Sequence, residues 1–175
     1  APGYWCEGIL AGVGFHVDAS VTITFCTAGM LAPDGRCKTL DIAADGYVRA
    51  ESCAVMVLTA PSQPHGDEVP GSTAALVPQV YLAGTAVNQD GRSSSLTAPN
   101  GPSQQAVIRS TVDTSCLPLE QYVQHEMHGT GTSLGDPIEV GAACAVLLSG
   151  RAARGPLALS AAKIAHGHAE AGAGV

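Results

Sequence analysis

The sequence predicts an α/β domain, and three observations lead to this prediction. Two short strand-like segments, 122–127 and 156–161, flank a helix-like segment, an order typical of a βαβ unit. Hydrophobic residues make up 46% of the chain and charged residues 13%, which indicates a buried core rather than disorder. The 175 residues suffice for one domain with such a core, or for part of a larger domain.

The first part of the chain contains two candidate strands. Segments 8–17 and 46–60 each contain an apolar run of strand length, and we expect both strands to be covered on both faces. A stretch rich in Pro, Gly and Ser follows, within which residues 63–77 are the best linker candidate. This linker would separate a first half, residues 1–62, from a second half, residues 78–175.

The second half begins with a predicted strand at 80–87 and a long polar loop at 88–101, of a length that is often functional. A helix is predicted to start near Pro102, because the fixed φ of proline suits the first helical turn. The clearest helix lies between the two strands of the βαβ unit. For this helix we expect Asp136 as the N-cap, Glu139 in a capping box and Gly150 at the end.

Composition and charge exclude several classes of function. The formal net charge is −7 and no basic run is present, so no nucleic acid partner is expected. No apolar run is long enough to cross a bilayer and no signal peptide opens the chain, so no membrane association is expected. The six dispersed cysteines lack a CxxC pair, which favours reduced thiols and a cytoplasmic location. Because the chain begins at Ala1, we expect it to be part of a longer polypeptide.

The string HGTGTSLGDPIEV, residues 128–140, is the main candidate for a functional site, and the residues alone allow several interpretations. A phosphate loop is disfavoured because Asp136 and Glu139 would compete for the helix amides and repel the phosphate. A metal site is disfavoured because the nearby histidines, at 125, 128, 166 and 168, lack a third ligand placed by spacing, and no metal is expected. A core histidine beside a glycine turn and an acyl-transfer site are the other interpretations.

The same string resembles the histidine motif of the β-ketoacyl synthase (ketosynthase) family, in the form found in type I polyketide synthases. Four further stretches are similar to the family in the same order: CEGILAGVGFHV (6–17), MLAPDGRCKTLDIAADGYVRAE (30–51), AGTAVNQDGRSSSLTAPNGPSQQAVIR (83–109) and KIAHGHAEAGAG (163–174). The likeness covers nearly the whole chain. It implies a thiolase-like fold, with two α/β halves of mixed sheets packed around buried helices, here truncated at both ends.

The resemblance also implies a reaction and roles for particular residues. The family performs a decarboxylative Claisen condensation, in which a malonyl-type extender attacks an acyl chain held on a cysteine. His128 and His168 match the two imidazoles that stabilise the enolate oxygen, and Lys163 matches the lysine that orients the second histidine. Thr130 and Thr132 match the threonines that hydrogen-bond the phosphopantetheine arm.

The remaining implied features concern support and partners. Asp136 and Glu139 are expected to form supporting ion pairs with Lys163. No cofactor is expected to bind directly, since the substrates, acyl and malonyl thioesters, arrive on the phosphopantetheine of an acyl carrier protein. The intact domain is expected to be a homodimer. A fatty acid synthase condensing domain and a non-condensing partner similar to a chain-length factor are the alternatives.

Several positions depart from the family pattern. The family nucleophile lies in a D-T-A-C-S-S type motif that is absent, and Cys116 in VDTSCLPLE is a chance likeness at an expected helix end, so the chain alone should not condense substrates. Ala50 and Ser52 replace family glycines and would be strained if those positions need positive φ. His166 is unusual between the lysine and the second histidine, where it could misalign the loop.

Overall fold

A computed structural model describes residues 7–59, 80–93, 98–150 and 155–175, so the linker predicted at 63–77 lies outside the described residues. These described residues form four strands and four α-helices, in the order β1 (Glu7–Gly14), α1 (Ala19–Thr27), β2 (Ser52–Thr59), α2 (Gly101–Ser115), β3 (Gln124–Glu126), α3 (Gly135–Leu147), β4 (Ala158–Ser160) and α4 (Lys163–His166). Short 3-10 turns lie at Leu119–Gln121 and Glu170–Gly174. No helix in the described ranges has both the length and the apolar content needed to span a membrane.

The predicted βαβ unit is present in the second half of the chain. Strands β3 and β4 pair in parallel, with Gln124 opposite Ala158 and Glu126 opposite Ser160, and α3 connects them. Helix α3 packs on α2 and contributes four of the nine buried hydrophobic residues of the described chain: Ala142, Ala143, Val146 and Leu147. The core therefore lies under α3, next to the loop that carries the histidine motif.

The predicted strands of the first half are also present, but their predicted burial is wrong. β1 and β2 pair antiparallel along their whole length, from Glu7 opposite Thr59 to Gly14 opposite Ser52. In the described part of the chain, the main element that packs against this pair is the 170–174 turn. Side chains that this turn does not reach stay exposed, with Ile9 75% and Val57 63% accessible.

Helix α2 begins where the sequence predicts, whereas the strand predicted at 80–87 does not form. Asn100 is the N-cap of α2, its side chain accepts a hydrogen bond from the Ser103 amide at 3.1 Å, and Pro102 lies in the first turn. Residues 80–87 pair with no strand among the described residues, and Val80 and Val87 are exposed. An apolar segment becomes a strand only when a neighbour accepts its ladder hydrogen bonds.

The caps predicted for α3 are wrong. The helix runs from Gly135 to Leu147, and its N-cap is Leu134, whose side chain makes no capping hydrogen bond. The Gly135 amide donates to the Thr132 hydroxyl at 3.1 Å. Asp136 lies inside the first turn and its carboxylate binds amides outside the helix, as does that of Glu139. Gly150, with φ of 71°, lies two residues beyond the C-cap Leu148.

Candidate active site

A cavity of about 570 Å³ lies where the histidine-motif loop meets four other segments. These segments are the turn after α1, residues 45–47, residues 99–104 at the start of α2, and the loop after α4 that carries His168. Five of the residues predicted from the sequence line the cavity: His128, Thr130, Thr132, Glu139 and His168. Lys163 and Asp136 are buried and are not among its lining residues.

The two histidines come from separate loops and meet in this cavity. Their ring centroids are 5.1 Å apart and the rings stand almost perpendicular, at 84°. His128 follows β3 and His168 follows α4, so 40 residues of chain separate them in sequence. The fold therefore places two imidazoles side by side, as an oxyanion-binding pair requires.

The backbone around His168 is held by the segment before β2. The His168 amide donates to the Val48 carbonyl at 2.7 Å, and the Ala50 amide donates to the His168 carbonyl at 2.9 Å. The Glu170 amide donates to Nδ1 of the His168 ring at 3.0 Å. Because Nδ1 is an acceptor, the neutral ring carries its proton on Nε2, and this N–H is the group that can donate to a ligand.

The backbone of His128 is held by Glu139. The amides of His128 and Gly129 both donate to the Glu139 carboxylate, the latter at 2.9 Å. The Thr39 hydroxyl donates to the Gly129 carbonyl at 2.6 Å. Gly129 has φ of 51°, and a Cβ there would lie 2.7 Å from the Cβ of Ala161, so this position requires glycine.

Asp136 connects the motif loop to the first half of the chain. Asp136 is 3% exposed, and its carboxylate accepts hydrogen bonds from the amides of Leu40 at 2.9 Å and Gly131 at 3.2 Å. Gly131 has φ of 76°, and a Cβ there would lie 2.6 Å from the Lys38 amide nitrogen. The glycines of the motif thus allow close approach between two backbone segments.

The ion pairs predicted for Lys163 are not formed. Within the described ranges, Lys163 makes no ion pair with Asp136 or Glu139, and both carboxylates instead accept backbone amides. Two amide donors at fixed positions satisfy a carboxylate without the entropy cost of ordering a lysine side chain. The prediction of an ionic network is therefore corrected to two carboxylates that each organise a backbone turn.

Burial lowers the pKa of both histidines below the usual 6.5. For His128 the first cause is desolvation and the second is the positive charge of Lys163, while Glu139 and Asp136 oppose them. For His168 desolvation again comes first, followed by His128 and Lys163, and Glu170 opposes them. Both rings are consequently neutral at neutral pH, and each has one N–H to donate.

Tyr47 is a cavity residue that the sequence did not single out. It is buried, and its ring centroid lies 5.3 Å from that of His168. Burial raises the pKa of its hydroxyl, and the charge of Glu170 adds to this effect. The only signal in the sequence was its position within the 30–51 stretch that resembles the family.

The departures from the family pattern do not disturb the loop of His168. Among the described non-glycine residues, positive φ occurs only at Leu40, Cys116 and Glu170, so the strain expected at Ala50 and Ser52 is absent. The Ser52 hydroxyl donates to the Ala169 carbonyl at 3.2 Å and so adds a contact to this loop. His166 is exposed on α4 and does not line the cavity.

Among the residues that the structure describes, neither a thiol nor a metal cluster completes the cavity. None of the five cysteines that the structure describes lines it. Cys116 is exposed and caps the C-terminus of α2 with φ of 55°, at the helix end expected from the sequence. Over the same described residues, no group of three or more His, Cys, Asp or Glu side chains could hold a metal ion.

Comparison with known families identifies the class of protein. Residues 6–63 match the family described as Beta-ketoacyl synthase, N-terminal domain, and residues 80–175 match Beta-ketoacyl synthase, C-terminal domain. The chain belongs to the β-ketoacyl synthase family.

Polyketide synthases are among its curated relatives. It is 43% identical to the spectinabilin polyketide synthase system protein NorA' of Streptomyces orinoci, covering 97% of this chain and 4% of that protein. It is 42% identical to the erythronolide synthase EryA2 of Saccharopolyspora erythraea, again covering 97% of this chain and 4% of that protein. These matches favour the polyketide type over a fatty acid synthase condensing domain.

Solved ketosynthases have the same fold. The ketosynthase from module 6 of the bacillaene synthase of Bacillus subtilis 168 matches with a TM-score of 0.83 and 32% identity, over 97% of this chain and 30% of that one. The oxazolomycin ketosynthase domain OzmH KS7 of Streptomyces albus matches with a TM-score of 0.84 and 28% identity, over 97% of this chain and 28% of that one. The predicted thiolase-like α/β fold is confirmed, and the chain spans about three tenths of a solved ketosynthase.

Proposed function

We propose that this chain supplies the decarboxylating part of the active site in a ketosynthase domain of a polyketide synthase. The observation that carries the proposal is the pair of neutral imidazoles, His128 and His168, in contact at the wall of one cavity. The family match and the polyketide synthase relatives support the same reaction, a decarboxylative Claisen condensation.

In the proposed step, the bond between the α-carbon of a malonyl thioester and its carboxylate breaks, and carbon dioxide leaves. The electron pair of that bond moves into an enolate, whose negative charge develops on the thioester oxygen. N–H groups of His128 and His168 donate to this oxygen, and each preorganised donor stabilises the transition state by about 3 kcal/mol. The low pKa of both rings supports this role, because neutral imidazoles bind the oxygen without protonating the carbanion.

The other cavity residues suit a thioester on a long flexible arm. Thr130 and Thr132 line the cavity beside the histidines, and we assign them to the phosphopantetheine arm of an acyl carrier protein. Lys163 is buried close enough to lower the pKa of both rings, so we assign it a role in keeping the rings neutral.

The condensing half of the reaction requires a cysteine thioester, and no described cysteine lines this cavity. Since the chain spans 30% of a solved ketosynthase, we propose that it acts within a longer domain that contributes this thiol. The enolate carbon would attack the acyl carbonyl there, and the cysteine thiolate would leave as the new carbon–carbon bond forms.

A decarboxylation assay tests the proposal in the longer ketosynthase that contains this chain. Release of carbon dioxide from malonyl acyl carrier protein should fall about 100-fold in His128→Ala and in His168→Ala, as expected for loss of one oxyanion donor. His166→Ala is the matched control, because this exposed histidine lies two residues from His168 and outside the cavity. Unchanged release in both cavity variants would overturn the proposal.

A further inference from the structure

An ion pair between Arg49 and Glu170 lies beside His168. Arg49 Nε is 2.6 Å from Glu170 Oε1, and the guanidinium Nη1 donates to the Thr22 hydroxyl at 2.7 Å. The Arg49 side chain is 8% exposed, and its guanidinium lies 5.4 Å from the ring centroid of Phe25. Arg49 is therefore anchored to α1 through Thr22 and Phe25, and Glu170 is anchored to Arg49.

Glu170 holds the ring of His168 through its backbone. Its amide donates to His168 Nδ1 at 3.0 Å, and this bond determines which ring nitrogen carries the proton. Glu170 has φ of 49°, a left-handed conformation that a non-glycine residue keeps only when its surroundings hold it there. The ion pair with Arg49 is a contact that can hold this conformation.

The backbone of Arg49 contacts the same loop. Arg49 and His168 form a parallel bridge, in which the Val48 carbonyl and the Ala50 amide bind the backbone of His168. Arg49 is thus linked to His168 in two ways: through the backbone bridge, and through its ion pair with Glu170, whose amide binds the His168 ring.

We propose that Arg49 and Glu170 are positioning residues that keep His168 Nδ1 as a hydrogen-bond acceptor and so leave its Nε2–H free for the enolate oxygen. The role of this N–H rests on the proposed function, whereas the tautomer can be measured without any reaction. Neither residue lines the cavity, so neither contacts the substrate.

The charges around His168 allow Arg49 and Glu170 to be distinguished by their opposite effects on the pKa of His168. Tyr47, His128, Lys163 and Glu170 are the titratable groups that face the ring or act on its charge, and His16 Nε2 lies 3.8 Å from the Glu170 carboxylate. The charge of Glu170 raises the pKa of His168. Since Arg49 Nε lies 2.6 Å from Glu170 Oε1, we expect the positive charge of Arg49 to oppose this effect. Removal of Arg49 should therefore raise the pKa of His168, and removal of the Glu170 charge should lower it.

Histidine ¹⁵N NMR on the 175-residue chain tests the proposal. We expect Arg49→Gln to raise the pKa of His168 and to increase the share of its Nδ1–H tautomer, and Glu170→Gln to lower the pKa. Arg49→Lys should restore values closer to those of the unmodified chain. Arg109→Gln is the matched control, since this exposed arginine on α2 pairs with Gln105 and should leave both values unchanged.

The proposal would be overturned if the tautomer and the pKa of His168 were unaltered in Arg49→Gln and Glu170→Gln. It would also be overturned if the two variants shifted the pKa of His168 in the same direction. If Arg49→Gln does not fold, the measurements on Glu170→Gln and Arg49→Lys test the proposal instead. In the longer ketosynthase, Arg49→Gln should lower kcat for decarboxylation about tenfold with KM unchanged, because it misplaces a catalytic group without touching substrate. A failure of the proposed function would leave the NMR result intact, so the two ideas can fail separately.

Discussion

Helices α1 (ASVTITFCT) and α3 (GDPIEVGAACAVL) are similarly apolar, but they differ in how many of their residues are buried. Helix α3 buries five residues, including Asp136, whereas none of the residues of α1 is buried. Helix α3 packs on α2, whereas α1 has no comparable packing partner among the described residues. Apolar composition makes burial favourable, but a packing partner decides whether burial occurs.

This difference separates the site from the rest of the molecule. The histidine motif runs into the first turns of α3, and its carboxylates Asp136 and Glu139 accept hydrogen bonds from four backbone amides. Helix α1 contacts Arg49 through two side chains: the Thr22 hydroxyl accepts a hydrogen bond from its guanidinium, and the Phe25 ring lies against that group. The hydrogen bonds to the two carboxylates hold the loop of His128, as the proposed function, which needs two imidazoles in fixed positions, would require.

The largest expected effect is that of removing the buried carboxylate of α3. Asp136→Ala leaves the Leu40 and Gly131 amides without their acceptor, and we expect the free energy of unfolding in urea to fall by about 3 kcal/mol. Asp113→Ala is the control, because Asp113 is exposed on α2. Equal losses in the two variants would show that α3 is not anchored in the way described.

A smaller effect compares the same substitution in the two helices. Val146→Ala removes a side chain that is 5% exposed in α3, and we expect it to lower the free energy of unfolding by about 2 kcal/mol. Val21→Ala removes a side chain that is 44% exposed in α1, and we expect a change below about 0.5 kcal/mol. A loss in α1 as large as that in α3 would remove the contrast between the helices.

The smallest effect is the pH dependence that the site histidines impose on stability. Because the folded pKa of His128 and of His168 is below 6.5, the unfolded chain takes up protons first as the pH falls. Their contribution is fully present above the unfolded value and is lost as the pH falls through the folded value. Urea unfolding between about pH 8 and pH 5 should show this loss, and a His128→Gln, His168→Gln double variant should show less of it. An identical pH profile in the double variant would contradict the lowered pKa values.

Local patterns in the sequence predicted much of the second half correctly. Asn100 and Pro102 mark the start of α2, and the strand–helix–strand order indicated the parallel pair. These features depend on residues a few positions apart, whose preferences are visible in a short window. The two cavity histidines were found in a different way, through resemblance to a family.

Longer-range partners could not be predicted from such patterns. Asp136 was expected to cap its own helix and to pair with Lys163, but it binds the amide of Leu40, 96 residues away. The ion pair of Arg49 with Glu170 joins residues 121 apart, and nothing near either residue indicates the other. A carboxylate has several acceptable partners, and only the completed backbone determines which of them comes within reach.

By itself, the sequence determined the fold class, the family, and which residue types were available for the chemistry, because periodicity, caps and motifs are properties of neighbouring residues. Tertiary structure alone decided that two imidazoles 40 residues apart share one cavity, with their neutral forms favoured by burial. It also decided that the carboxylates of α3 serve the backbone instead of a lysine. Distance, desolvation and hydrogen-bond geometry arise only when distant segments pack together.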